Sequence, residues 1–418
     1  MAYDLSIVKS QFPALSRPEV FLDNPGGTQM VRSSLDRMQR LMVDSNANHG
    51  GVFATSRRMD ETVYETRQAM VDFFHAARPE EIIFGANMTT LTYSMSRALG
   101  RSFSKGDTIL VTRMDHDGNI APWLQVAEDR ELNIRWVDFN VETGRLDMED
   151  LQRALAEKPR LVAVGFASNA LGTINPISEI VKLAHAVDAL VYVDAVQYAP
   201  HAPIDVQALG CDFLVCSSYK FFGPHAGILY GRYDLLDALT AYRVRPCSNE
   251  LPDKFDTGTG NFESIAGVLG VVEYFEWLGR TLGEGHYENL AGQYSGRSLA
   301  LKQAMYTLTD YDLHLNKALF KVLKDIPGIR IIGITDEENF HLRVPTFSFN
   351  IEGLKPIEIA QGLANENINI WAGNFYALDI ARRYAVQDTG GFARVGAVHY
   401  NTMDDINRFG EVLARLAS

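Results

Sequence analysis

The stretch Leu190-Val191-Tyr192-Val193-Asp194-Ala195-Val196-Gln197, followed by Asp212-Phe213-Leu214-Val215-Cys216-Ser217-Ser218-Tyr219-Lys220, twice drives a short apolar run straight into polar residues. Runs of this length, almost continuously apolar and rich in β-branched side chains, read as strands covered on both faces. Working outward, the same pattern gives strands at Ile82–Gly85, Thr108–Thr112, Ile134–Asp138, Leu161–Phe166, Leu190–Val193 and Asp212–Cys216, with Gly227–Gly231 as a closing strand. Helix-like stretches separate them. In one, Pro176 and Ser178 open a run whose Ile180, Val181, Leu183 and Ala184 form an apolar stripe. Strands alternating with helices predict an α/β fold built on a mainly parallel sheet.

Beyond about residue 285 the rhythm changes. Long helical stretches give way to strands at Arg330–Ile334, Thr346–Ile351, Ile368–Trp371 and Ala393–Val398. One helix starts at Pro356. Another is opened by Thr402, carries Asp404 and Asp405 in its first turn, and lines up Ile406, Phe409, Leu413 and Leu416 on one face. The expected division is a large sheet domain over 21–284 and a smaller α+β domain formed by 1–20 and 285–418, joined by packed helices.

The chain has 418 residues, 46% hydrophobic and 22% charged, which excludes disorder as its main state. Its 39 Lys and Arg against 52 Asp and Glu leave a net charge of −13 without a basic run, so neither nucleic acid nor an anionic membrane is an expected partner. No apolar stretch approaches the roughly 18 residues of a membrane span, and the opening residues carry Asp4 and no apolar leader, so a cytoplasmic location is expected. Cys211, Cys216 and Cys247 show no C-x-x-C spacing and no histidine pair has metal-ligand spacing, so no metal site is expected.

In an open parallel sheet, ligands bind beyond the carboxyl ends of the strands. There the sequence places Asn87-Met88-Thr89-Thr90 at a helix start, Asp115-His116, Asn169, Asp194 with Gln197, and Ser217-Ser218 with Lys220. Taken singly, each has an ordinary reading as a cap, a surface imidazole or a solvated amine. Taken together they match pyridoxal phosphate. The Lys220 amine condenses with its aldehyde, and Asp194 keeps its ring nitrogen protonated. Thr89 and Thr90 at the positive helix end, with Ser217, receive the phosphate. His116 stacks on the ring and Gln197 bonds the ring oxygen. Lys220, His116 and Asp194 form the expected catalytic set.

The segments Val193–Gln197, Ser217–Pro224 and Thr257-Gly258-Thr259-Gly260-Asn261 resemble those of class V aminotransferase-fold enzymes. Within that class, Met114-Asp115-His116 through Trp123 and Ser168-Asn169-Ala170-Leu171-Gly172-Thr173 are similar to the cysteine desulfurase and selenocysteine lyase group. The likeness runs from Phe21-Leu22-Asp23-Asn24 to Tyr400-Asn401-Thr402. It implies fold type I, the aspartate aminotransferase-like transferase fold, in a homodimer with shared active sites. It further implies that Thr259 reaches the neighbouring subunit's phosphate and that Arg394 binds the substrate carboxylate. Asn169 then contacts the ring oxygen and that carboxylate.

Three departures stand beside these matches. The group's desulfurases carry a mobile persulfide-bearing Cys where this chain reads Trp371-Ala372-Gly373-Asn374-Phe375-Tyr376-Ala377. Tyr219 replaces the His that usually precedes the lysine, and Trp371 stands where Arg is common. Cys247 is the one thiol expected in a polar loop, and His225 and His49 lie near the site by family position. The expected reaction is β-elimination of a sulfur- or selenium-bearing group from a small α-amino acid, with Lys220 as the base. The alternatives are a cysteine desulfurase or selenocysteine lyase proper, a class V aminotransferase or epimerase, and a protein that only binds.

Overall fold

The computed structural model of the protein describes residues 3–418. Its large sheet contains β1 (Ile82–Gly85), β2 (Thr108–Thr112), β3 (Asn133–Val137), β4 (Leu161–Gly165), β5 (Leu190–Asp194), β6 (Phe213–Ser217) and β7 (Gly227–Gly231). Their order across the sheet is β1-β7-β6-β5-β4-β2-β3. β2 to β6 run parallel to one another, whereas β7 is antiparallel to both β1 and β6. The strand expected to close the sheet therefore lies inside it. The nine residues between β6 and β7 are too few for a crossover, so the chain returns antiparallel. Several boundaries move by one residue from expectation, and two of these shifts make Asp194 and Ser217 end their strands rather than follow them.

The period of two in each strand sorts side chains onto the two faces. Val162, Val164, Val191, Val193, Leu214 and Cys216 enter one core, while Leu161, Ala163, Tyr192, Phe213 and Val215 enter the other. The second face is covered by α1 (Met88–Gly100) and the helix Ala121–Arg130, through Leu91, Met95, Trp123 and Val126. The first is covered by Ile177–His185 and by α2 (Phe262–Leu282). α2 also packs on α3 (Gly296–Lys324). A Cβ at Gly279 would overlap the Ala300 carbonyl, so this close approach of two helix backbones requires glycine.

A smaller antiparallel sheet holds β8 (Ile329–Ile332), β9 (Thr346–Ile351), β10 (Trp371–Gly373) and β11 (Phe392–Gly396) in the order β8-β9-β11-β10. The strand expected over Ile368–Trp371 is two strands. Ile368 and Asn369 pair in parallel with Val20 and Phe21, and Trp371 begins β10. Ile368 is buried in the small core while Trp371 is half out of it, so the chain changes partners between them. α4 (Met403–Leu416), capped by Thr402 and Asp405, buries Ile406, Phe409 and Leu413 as its spacing predicts. α3 serves both cores: Leu301, Ala304, Met305 and Leu308 lie in the first, Leu315, Leu319 and Leu323 in the small one. Among the described residues no helix is long and apolar enough to cross a membrane, and no group of three or more metal-ligating side chains is assembled.

Candidate functional site

The site gathers at the carboxyl ends of β2, β4, β5 and β6. α1 starts where β1 has just ended, with Asn87 Oδ1 accepting the Thr90 N–H at 2.9 Å and the Thr90 hydroxyl donating back to the Asn87 carbonyl at 2.9 Å. Thr90 is exposed and its hydroxyl is spent on this cap. Ser217 fits the phosphate reading better. Its Oγ accepts the Met88 N–H at 2.9 Å, which leaves the hydroxyl proton to donate onward. Thr89 faces His116 across Gly118, where a Cβ would lie 2.8 Å from Thr89 Oγ1 and 3.0 Å from His116 Nδ1.

His116 accepts the Gly118 N–H on Nδ1 at 2.9 Å, so the neutral ring carries its proton on Nε2. Burial, then the charges of Lys220 and Arg394, lower its pKa to about 4. Beneath it, the Thr112 hydroxyl and Asn119 Nδ2 both donate to Asp115, the amide at 2.8 Å. Burial lifts Asp115 to about 7. In the sequence Asp115 stands out only as the neighbour of His116, although an acid just after a buried strand is the signal that marks it.

Asp194 is buried at the end of β5, its Oδ1 accepting the Val196 N–H at 2.9 Å. Among the described residues this is the carboxylate's one hydrogen bond, and burial raises its pKa to about 6. The Lys220 amine donates to the Pro25 carbonyl. Burial first, and Arg394 next, bring it down to about 7, against the opposing pull of Asp194 and Asp23. Asp23 was not singled out in the sequence, yet its Oδ1 is buried without a partner and its pKa is raised by burial.

Arg394 is buried in the middle of β11. Its Nη1 donates to the Asn169 carbonyl at 2.8 Å, and its guanidinium lies 4.0 Å over the Phe375 ring. Burial lowers it to about 9. Asn169 Nδ2 donates to the Phe375 carbonyl at 2.8 Å, while Asn169 Oδ1 and Arg394 Nε are buried without partners. Gln197 Nε2 donates to Thr346 Oγ1 at 3.1 Å, leaving one amide N–H and the oxygen uncommitted.

These residues fit pyridoxal phosphate and an amino-acid substrate: an amine brought into the neutral range, a buried acid with one oxygen unengaged, a hydroxyl at a helix N-terminus, and an orphaned Arg394 N–H suited to a carboxylate. Other candidates lie outside the group. Thr259 sits in an exposed turn and shares no hydrogen bond with it among the described residues. Cys247 is half-buried, with Sγ donating to the carbonyls of Asp253 at 3.3 Å and Asp256 at 3.6 Å. The exposed His225 ring stacks on Tyr219 at 4.7 Å, and the exposed His49 bonds Asp60 at 2.7 Å.

The family described as aminotransferase class-V matches residues 20–303 and 297–409. The chain is 28% identical over 435 residues to a cysteine desulfurase of Synechococcus elongatus, matching all of this chain and 64% of that longer protein. It is 30% identical over 416 residues to an aminotransferase-like protein of Gibberella zeae, covering 97% of each. Its fold is similar to an apo cysteine desulfurase structure from Thermococcus onnurineus, with a TM-score of 0.85, 24% identity and coverage of 99% of this chain and 98% of that one. A family match over nearly the whole chain, on a sheet whose rim carries Lys220 and Asp194, makes this protein a member of the class V aminotransferases, enzymes dependent on pyridoxal phosphate.

Proposed function

We propose that the protein is a Cβ–S or Cβ–Se lyase acting on a small α-amino acid by β-elimination, with no protein thiol taking part. The observation that supports it is the state of Trp371–Ala377. Asn169 Nδ2 holds the Phe375 carbonyl, the Asp117 N–H holds the Tyr376 carbonyl at 2.7 Å, and Asn374 takes the Tyr376 and Ala377 N–H groups at 3.1 and 2.8 Å. A segment pinned this way, with a phenol and no thiol, has nothing on which to store sulfur. Cys211 and Cys216 are buried with thiols pushed well up by desolvation, which makes them inert packing groups.

When bound, pyridoxal phosphate supplies an electron sink for charge left at the substrate's α-carbon. Lys220 Nζ would hold the cofactor's aldehyde carbon and would serve as the base for the substrate's α-proton. Arg394 would fix the substrate carboxylate with the Nε–H it leaves unpaired, and the Asn169 carbonyl holds the guanidinium in place. Asp194 would keep the ring nitrogen protonated, and neutral His116 would pack on the ring without adding charge. Products are a free thiol or selenol, a keto acid and ammonia, with one water consumed.

The relatives named as cysteine desulfurases favour a second reading, in which cysteine itself loses sulfur and alanine is formed. That reaction needs a sulfur acceptor, and Cys247 is the remaining thiol on this chain. An aminotransferase or epimerase would use the same residues. The exposed turn of Thr259, with exposed Val52, Phe53 and Val244, supports a homodimer whose copies complete each other's sites. Product analysis on a panel of cysteine and selenocysteine conjugates tests the proposal. Keto acid and ammonia are expected, and alanine as the product would overturn it in favour of the desulfurase.

A further inference from the structure

Two large aromatic side chains stand out of the protein beside the Lys220 group: Trp371, 49% exposed, and Tyr376, 72% exposed. Trp371 opens β10 directly opposite Arg394 on β11, so the two side chains leave the sheet on the same face. Its indole lies against Gly26, where a Cβ would overlap the ring nitrogen. Gly26 follows Pro25, whose carbonyl receives the Lys220 amine. Tyr376 lies against His116, ring centroids 5.5 Å apart and planes inclined at 32°. Between them Phe375 underlies the Arg394 guanidinium.

The backbone that presents these rings is held in an unusual shape. Phe375 at φ 56° and Tyr376 at φ 57° are both left-handed. Consecutive non-glycine residues keep that conformation only where their surroundings over-determine it. The hydrogen bonds from Asn169, Asp117 and Asn374 do so here. The Tyr376 backbone is thus fixed, with its ring beside His116.

We propose that Trp371 and Tyr376 are the two jaws of an aromatic clamp for the substrate's side chain. The substrate class is then α-amino acids whose β-sulfur or β-selenium carries an aryl or other flat aromatic group, rather than free cysteine. A carboxylate on Arg394 brings the rest of the molecule within reach of the indole across the strand pair. A bare thiol would leave both rings in water, whereas an aryl group covers them. The bond broken rests on the lyase reading above, while the recognition does not.

The test is equilibrium titration of the holoenzyme with two amino acids that lack a leaving group, L-phenylalanine and L-alanine. Phenylalanine binds at least tenfold more tightly, and Trp371→Ala and Tyr376→Gly each cut that ratio at least threefold. Equal affinities in the unaltered enzyme, or a ratio that neither variant moves, would overturn the clamp. Turnover of S-phenylcysteine against S-methylcysteine separates the two readings. A binding preference with no keto acid from either conjugate keeps the clamp and defeats the lyase; keto acid from both at equal kcat/KM keeps the lyase and defeats the clamp.

Discussion

The Lys220 amine is governed by its neighbours more than by its own chemistry. Burial and Arg394 lower its pKa to about 7, while Asp194 and Asp23 oppose them. Only the neutral amine condenses with an aldehyde, so the cofactor-free protein should take up pyridoxal phosphate faster as pH rises through about 7. Arg394→Gln should move that midpoint up and Asp194→Asn should move it down, read from the absorbance rise on loading at each pH. Lys220→Ala should lose roughly 10²–10⁴-fold in turnover, measured as keto acid formed. Asp115 gives a stability signature. Its folded pKa of about 7 lies above that of an unfolded carboxyl, so its contribution is present at low pH and lost as pH rises from about 4 to about 7. Asp115→Asn should remove that part of the pH dependence of the melting temperature. The gathering of Lys220, Asp194 and Ser217 at one sheet rim was legible in the sequence because apolar runs point to the residues that end them. The spending of Thr90 on the Asn87 cap and the engagement of Gln197 by Thr346, 149 residues away, were not, since both depend on partners a local pattern does not reveal.

Among elements, the large sheet was readable because fully covered strands leave unbroken apolar runs, and the place of β7 inside it was not, because that depends on its pairing with Ile82–Gly85, far away in the chain. The division of Ile368–Trp371 between two sheets was equally hidden: both halves have strand-like residues, and only their partners differ. Helix packing offers a direct check. Gly279 lets α2 touch the Ala300 carbonyl on α3, so Gly279→Ala should destabilise the fold by about 1–3 kcal/mol, measured by chemical denaturation. Gly258, with open space around its Cβ position, is the control site at which alanine should be tolerated.

On the scale of the molecule, the two sheets are stitched together behind the site. The Ile174 N–H reaches the Leu342 carbonyl at 2.8 Å, the Val344 N–H reaches the Gly172 carbonyl at 2.9 Å, and Ser348 Oγ donates to the Ala170 carbonyl at 2.7 Å. The buried Arg343 guanidinium adds bonds to the carbonyls of Leu171, Ile334 and Thr346. The proposed pairing of chains should appear in sedimentation as a species of twice the chain's mass. α3, whose first half belongs to one core and whose second half to the other, carries a further consequence. Both cores share this one helix, so calorimetry should record one endotherm instead of two. Removing one of its buried leucines, even far from the amine, would be felt as a less stable catalyst rather than as a slower one.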